Sequence, residues 1–374
     1  MSILNKLFGN GISADQQQQI ETALSQVTDP FLEQNLQALQ VLQSAQLKKG
    51  TLNLQLSYPY PANSLFLSYE QQLTEQLKQM PEVEHVIYHW SIKVLAHQTQ
   101  GNLAPLPGVK NIIAVASGKG GVGKSTTSVN LALALQQEGA QVAILDADIY
   151  GPSIPTMLGV FDKPQSQDGK SMQPLTAYGL QVMSIGFLIE PDSPMIWRGP
   201  IVTQTLTQLL KETAWEEVDY LIIDLPPGTG DVQLTLSQQI PVTGAIIVTT
   251  PQEVSLIDAR KGLKMFEKVN IDILGIVENM STHICSNCGY EESIFGQGGG
   301  KAMAENYDVP FLATLPLDIR IREEVDAGKP TVVAEPSSEI ALKYKNIAHQ
   351  VSAQLAKKKK NYAGAFPKIE IVNN

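Results

Sequence analysis

Residues Ile112 to Thr126 read IIAVASGKGGVGKST, an apolar, β-branched run that stops in a glycine-rich turn. The spacing is G-x-x-x-x-G-K-[ST], met by Gly118, Gly123, Lys124 and Ser125. In a loop of this kind bare backbone N–H groups wrap a β-phosphate, the Lys124 ammonium reaches the β/γ oxygens and the Ser125 hydroxyl holds Mg²⁺. Gly118, Lys119, Gly120, Gly121, Val122, Gly123, Lys124, Ser125 and Thr126 are therefore the candidate contacts to ATP. The following segment, Ser125 to Gln137, carries Val129, Leu131, Leu133 and Leu135 and is expected to form a helix with its N-terminus facing the phosphate.

Outward from this loop, short apolar runs alternate with helical segments: Ile112 to Ala116, Gln141 to Asp146, Tyr220 to Asp224, Gly244 to Thr249 and Ile273 to Val277. Runs apolar on both faces suit buried strands, so the expectation over residues 111–356 is an α/β domain, a P-loop NTPase with a mostly parallel sheet wrapped by helices. No internal repeat is present. Chemistry in such a sheet lies at the strand ends. There stand Asp146 and Asp148 in LDADIYGPS, and Asp224 in YLIIDLPPGTGD. Asp224 fits a carboxylate holding a Mg²⁺-bound water. Leu225, not glutamate, follows it, which moves the water-positioning task elsewhere. Gly228, Thr229, Gly230 and Asp231 suit a flexible loop sensing the γ-phosphate through backbone N–H groups.

Lys119 directly follows the first glycine, and only Lys124 is needed for the chain's own nucleotide. With two lysines in KGGVGKS, Lys119 to Ser125, the loop resembles that of the deviant P-loop ATPases, the class of MinD, ParA and the nitrogenase iron protein. The resemblance implies that Lys119 crosses a dimer interface to the partner's nucleotide. It also implies that the DxD is a switch, with Asp148 orienting the attacking water and Asp146 nearer the metal shell; the alternative is that one of the two only caps a turn. Lys119, Lys124 and Asp148 are thus the catalytic candidates. Asn279, in VENMS, matches the position that reads the adenine edge in relatives, and a turn-capping asparagine fits equally well. Arg198, in MIWRGP, is a candidate to face the dimer partner. Gln297 to Lys301, QGGGK, is not a second phosphate loop, because its spacing fails and no strand is expected before it.

The chain has two cysteines, Cys285 and Cys288, spaced C-x-x-C with His283 just ahead. Such a turn brings two thiolates to one metal, yet tetrahedral sites and [4Fe-4S] clusters want four ligands. Three readings stand: a cluster or metal bridged between two chains, a thioredoxin-like redox pair, and a zinc knuckle using His283. The redox reading is weakened because the pair does not open a helix beside a βαβ strand.

Taken together, the loop, DLPPGTGD, WRGP and the single C-x-x-C resemble the Mrp/ApbC iron-sulfur carrier ATPases over Asn111 to about Leu355. The resemblance implies a homodimer that binds ATP and Mg²⁺, receives an iron-sulfur cluster, most simply [4Fe-4S], from a donor scaffold, and passes it to apo iron-sulfur proteins. Two rivals are a MinD/ParA-type positioning switch and an ATP-dependent reductase. The first needs a basic amphipathic end helix or basic face. Here the last helix, Ser338 to Leu355, reads as core-packing, with Ile340, Tyr344, Ile347, Val351 and Leu355 on one stripe.

Ahead of this domain, residues 1–97 read as a small α+β unit. A polar helix (Asp15 to Gln26) precedes a hairpin of Leu36 to Leu47 and Thr51 to Tyr58 around Lys48-Lys49-Gly50, then a helix (Ser64 to Met80) and a strand (Val86 to Val94). With its Thr28-Asp29-Pro30 corner it resembles the iron-sulfur assembly domain fused ahead of P-loop carriers. It departs from that pattern at Phe31 and at Tyr60 to Asn63, where a Cys-Pro is missing, which points to a structural or docking role. Residues 98–110 read as a linker rich in Gln, Gly and Pro, and residues 357–374 as a flexible basic tail.

Net charge is −10 over 374 residues, which disfavours a large nucleic-acid surface. No apolar run reaches a membrane span, and the first ten residues lack a sustained apolar region, so no membrane or nucleic-acid partner and a cytoplasmic location are expected.

Overall fold

The computed structural model describes residues 12–100, 103–166, 168–188, 199–285 and 287–361. Arg198 and most of its MIWRGP stretch lie outside the described residues, as do 362–374 of the expected tail.

In the front unit, α1 (Ala14–Gln26) starts with a reciprocal cap: Ser13 accepts from the Gln16 backbone and Gln16 reaches back to Ser13. Strands β1 (Leu42–Lys48) and β2 (Thr51–Tyr58) form the expected hairpin. Lys49 and Gly50 turn it at φ 47° and 76°, the twist-matched geometry of a two-residue loop. The first strand begins later than the sequence suggested, because residues 36–41 turn through Gln40 at φ 54°. Helix α2 (Asn63–Leu77) then crosses over to β3 (His85–Ile92), which pairs parallel to β2. The alternating Leu52, Leu54, Leu56 and Tyr58 face a core shared with Ile20, Leu24, Phe66 and Leu73.

At the Asp29-Pro30 corner the Asp29 carboxylate is fully buried. One oxygen accepts from the N–H of Phe31 (2.8 Å) and of Leu32, and the other from the hydroxyls of Tyr58, Tyr60 (2.6 Å) and Tyr69 (3.2 Å). Burial and this carboxylate push all three phenols well above the usual tyrosine range, so they remain donors.

The second unit is built on an eight-stranded sheet. Its elements in chain order are β4 (Val109–Ala116), α3 (Lys124–Gln137), β5 (Val142–Asp146), α4 (Ile154–Leu158), β6 (Leu175–Ala177), β7 (Leu180–Ser184), α5 (Gly199–Glu212), β8 (Val218–Asp224), α6 (Asp231–Gln239), β9 (Gly244–Thr249), α7 (Glu253–Lys268) and β10 (Ile273–Glu278). A two-stranded hairpin, β11 (His283–Ile284) and β12 (Glu291–Glu292), precedes α8 (Gly299–Asn306), β13 (Phe311–Thr314), α9 (Ile319–Asp326), α10 (Thr331–Ala334) and α11 (Glu339–Lys357). The sheet order is β13-β10-β9-β4-β8-β5-β7-β6, parallel throughout except for the edge pair β7/β6. Every residue of β5, β8 and β9 is buried, the pattern of strands covered on both faces. The order reverses around β4, so the loop after β4 opens at a switch point, where this class of sheet places its ligands.

Helix α11 locks the two units together. Its stripe of Ile340, Tyr344, Ile347, Val351 and Leu355 is buried in the large core, which leaves no free apolar face there, while Ala353 packs into the front core. His349 Nε2 meets Glu138 Oε2 at 3.0 Å, and the same carboxylate accepts from the Ser64 N–H at 2.9 Å. Burial alone would raise Glu138; the His349 and Ser64 hydrogen bonds bring it below its ordinary value.

The described parts of both connecting segments make specific contacts. At the start of the lysine run, Lys357 Nζ donates to the Phe31 carbonyl (3.1 Å), and Lys358 pairs with Asp272 (2.6 Å) and donates to the Thr243 carbonyl. Lys360 bridges His97, and the Gln98 N–H donates to the Lys359 carbonyl, so the tail's first residues zip onto the linker. The linker in turn is strapped down by Gln100, whose amide donates to the carbonyls of Ser237 (2.7 Å) and Ile240. Backbone groups with partners available take them, whatever the composition suggests.

Candidate functional site

The 118–126 loop is braced from two sides. A Cβ on Gly118 would lie 2.2 Å from the carbonyl carbon of Asp258 in α7, and one on Gly123 would lie 2.0 Å from Asn279 Nδ2. Gly121 and Gly123 also take φ 80° and 85°, so glycine is demanded here by space and by conformation. Ser117 Oγ donates to the Lys119 carbonyl (2.9 Å), and the Gly228 N–H returns to the Ser117 carbonyl (3.0 Å), tying the loop to the segment after Asp224.

Lys124 opens α3 and is buried. Its Nζ lies 2.7 Å from Asp224 Oδ2, 3.7 Å from Asp148 Oδ2 and 3.3 Å from Ser125 Oγ. Ser125 Oγ donates to the same Asp224 oxygen (2.5 Å), and Ser128 Oγ donates to the other (2.7 Å). Ser128 escaped the sequence reading, although its place one turn after Lys124 puts both on one helix face. The structure thus gathers Lys124, Ser125, Asp148 and Asp224.

Asp146 sits differently. It is fully buried, with its oxygens accepting from the N–H groups of Asp148 (3.1 Å) and Ile154 (3.1 Å) and from Ser184 Oγ (3.2 Å). Burial first, then the neighbouring Asp224 carboxylate, push it well above the usual carboxylate range. Burial also raises Asp148, against the pull of Lys124. Asp224 and Asp148 stand against one buried ammonium with the Ser125 hydroxyl among them, hard oxygen donors of the kind Mg²⁺ takes, while the Asp146 oxygens are occupied by the chain's own donors.

Asn279 contacts the loop itself: Nδ2 donates to the Val122 carbonyl at 2.9 Å. Lys119, by contrast, is exposed.

Cys285 and Cys288 occupy the tip of the β11/β12 hairpin, closed by the Cys285 N–H to the Tyr290 carbonyl (2.9 Å) and the Gly289 N–H to the Cys285 carbonyl (2.8 Å). Cys285 is half-buried and Cys288 exposed. The backbone N–H groups of Asn287 and Cys288, with the Cys288 thiol, hold Cys285 below the ordinary thiol range, as suits a metal ligand. Among the described residues no three His, Cys, Asp or Glu side chains gather to hold a metal. His283, needed for the zinc-knuckle reading, turns Nδ1 to the Leu317 carbonyl at 3.2 Å. The QGGGK stretch does form a helix start, at α8, but its N–H groups are taken by the chain's own Glu278.

Against this geometry stand the relatives. The model of the NUBPL iron-transfer P-loop NTPases matches residues 108–352, and that of an iron-sulfur cluster assembly protein matches residues 17–87. The chain is 51% identical over 349 residues to the iron-sulfur cluster carrier protein of Haemophilus influenzae, covering 93% of this chain and 94% of that one. It is 48% identical over 253 residues to the iron-sulfur cluster transfer protein NUBPL of Mus musculus, covering 67% and 79%. Among solved structures, a nucleotide-binding protein from Archaeoglobus fulgidus in complex with ADP aligns with a TM-score of 0.55 and 38% identity over 63% of this chain and 91% of that chain. The cell division ATPase MinD of Pyrococcus furiosus, at 24% identity and TM-score 0.50 over 64% and 98%, shares the fold.

Proposed function

Because the chain belongs to the family of NUBPL iron-transfer P-loop NTPases, we propose that it is an ATP-hydrolysing carrier that holds an iron-sulfur cluster between two copies of itself and hands it to apo-proteins. The observation that carries this reading is the hairpin tip: two thiols, one held toward the thiolate, on an exposed turn, with no third His, Cys, Asp or Glu gathered beside them among the described residues. A cubane cluster needs four thiolates, and a twofold axis between two such tips supplies them. A cargo held by so few ligands per chain at an exposed site is easily released, which suits a carrier better than a permanent redox centre.

In this reading Lys124 neutralises the β/γ oxygens, Ser125 and Asp224 would hold Mg²⁺, which would offset phosphate charge when bound, and Asp148 orients the attacking water. Asp146 supports this shell from behind, fixing the switch backbone. Lys119 reaches the partner's nucleotide, which makes hydrolysis depend on the dimer. Asn279 seats the loop and, beside it, the adenine.

The experiment is cluster transfer. Protein reconstituted anaerobically is mixed with an apo [4Fe-4S] enzyme whose activity reports loading. The wild type is expected to activate the acceptor. Cys285→Ala and Cys288→Ala are expected to fail while binding ADP normally, and a double variant that still loads the acceptor would rule the carrier reading out.

A further inference from the structure

Strand β10 ends in Glu278, a carboxylate with no exposed surface that neither the nucleotide nor the thiols use. Burying it requires donors, and the chain supplies three. Ser281 Oγ donates to Oε1 at 2.7 Å, the Gly298 N–H donates to the same oxygen at 3.1 Å, and the Gly300 N–H donates to Oε2. Ser281 lies just before the cysteine hairpin, and Gly298 and Gly300 just after it. One side chain therefore clamps both roots of the excursion that carries Cys285 and Cys288. The fit is close: a Cβ on Gly300 would lie 3.0 Å from Glu278 Cβ and 3.1 Å from Oε2.

The next residue faces the other way. Asn279 Nδ2 donates to the Val122 carbonyl inside the phosphate loop (2.9 Å), and its N–H donates to the Thr249 carbonyl at the end of β9 (2.8 Å). Two adjacent residues at the end of a buried strand thus hold the phosphate loop on one side and the hairpin roots on the other, with no flexible spacer between. The leading root is pinned again by the Ser281 N–H on the Leu315 carbonyl (3.0 Å) and the Leu317 N–H on the Thr282 carbonyl (2.7 Å). A shift of the loop carbonyl at Val122 has a direct path to the root of the hairpin.

We propose that Glu278 and Asn279 are positioning residues that transmit the state of the phosphate loop to the cysteine hairpin, so that nucleotide changes how the two thiols are presented. The inference rests on the 118–126 loop being the nucleotide site and is independent of what the thiols carry. Coupling of this kind is reciprocal, and whatever loads the hairpin changes nucleotide affinity by the same factor.

The test uses the full-length, reduced, cluster-free protein. Alkylation rates of Cys285 and Cys288 by iodoacetamide are measured by mass spectrometry with and without saturating Mg–ADP, and the ADP Kd is measured on the same samples. In the wild type ADP is expected to change the rate by about 5-fold or more, the lower end of typical couplings. Glu278→Gln, which presents an NH₂ where N–H donors need an acceptor, is expected to abolish the response while leaving the ADP Kd near its wild-type value. Should Glu278→Gln fail to fold, Ser281→Ala cuts only the leading root and is expected to lose at least half of the response. A wild type that binds ADP with unchanged thiol rates overturns the proposal, as does a folded, ADP-binding Glu278→Gln or Ser281→Ala with the full response. Absence of ADP binding by the wild type would instead sink the nucleotide-site reading, and the coupling with it.

Discussion

The phosphate loop and the cysteine hairpin are built on opposite principles. In the loop, Gly118 and Gly123 abut backbone and side chain at distances no Cβ tolerates, and a buried lysine is matched by two carboxylates. On the hairpin, Gly289 and Gly296 have open space around them, the strands are two residues long and the flanking Ile284, Tyr290 and Ile294 are exposed. The charges gathered around Lys124 come from one chain and are buried, where low dielectric strengthens every contact. The two thiols sit on an exposed turn, which under the proposed function is half of a cluster site. The contrast teaches where to expect rigidity and where to expect a missing partner.

The largest effect expected from testing this contrast is at Gly118. A methyl there would meet the backbone of Asp258 and Ala259, at 2.2 and 2.5 Å, and neither is a side chain that can turn away. Gly118→Ala is expected to cost about 3 kcal/mol or more, or to block folding, in urea unfolding. Next comes Lys124→Ala, which strands the fully buried Asp224 beside Asp146 without a cation. Urea unfolding should find about 3–5 kcal/mol lost, because removing one partner of a buried pair leaves an uncompensated charge, and calorimetry should find ADP affinity lowered because the β-phosphate loses its ammonium. Wild-type affinity in that variant would mean the loop is not the nucleotide site.

Gly289→Ala, on the hairpin, meets nothing within 4 Å and pays only for φ 72°. Its cost should stay at about 1 kcal/mol. If Gly118→Ala and Gly289→Ala proved equally harmful, the contrast would fail.

The smallest effect concerns pH. Asp148 is raised by burial despite Lys124, so the folded chain holds that proton more tightly than the unfolded chain. Its contribution to stability therefore falls as pH rises from the ordinary carboxylate value through the raised one. Asp148→Asn should remove that slope, unfolding at a slightly higher temperature than the wild type at pH 7 but not at pH 4, while abolishing ATP turnover with Mg–ATP still bound. Loss of stability at pH 7 would contradict the burial account.

Much of this was legible because local chemistry is periodic. The β-branched run before Gly118, the fully apolar strands ending in Asp146 and Asp224, and the C-x-x-C turn each carry their meaning within a dozen residues. What the sequence hid depends on distant partners. The parallel pairing of β3 with β2 is set by a crossover helix, not by the alternation within β3. The edge strand β6 and its neighbour β7 are short, and the contacts of Lys357, Lys358 and Lys360 rest on carbonyls and an aspartate far away in sequence. Glu138 and Glu278 carry no sequence mark of their burial, since burial of a carboxylate leaves none in its neighbours' identities. Ser128 alone was within reach, through its helical spacing from Lys124.

The central claim, a cluster shared by two chains through one hairpin each, is tested most directly by iron and sulfide content together with native mass after anaerobic reconstitution. The account predicts four iron and four sulfide per two chains, found only in the dimer, and absent from both dimer and monomer in Cys285→Ala. A monomer carrying a complete cluster, or a dimer carrying one per chain, would contradict it.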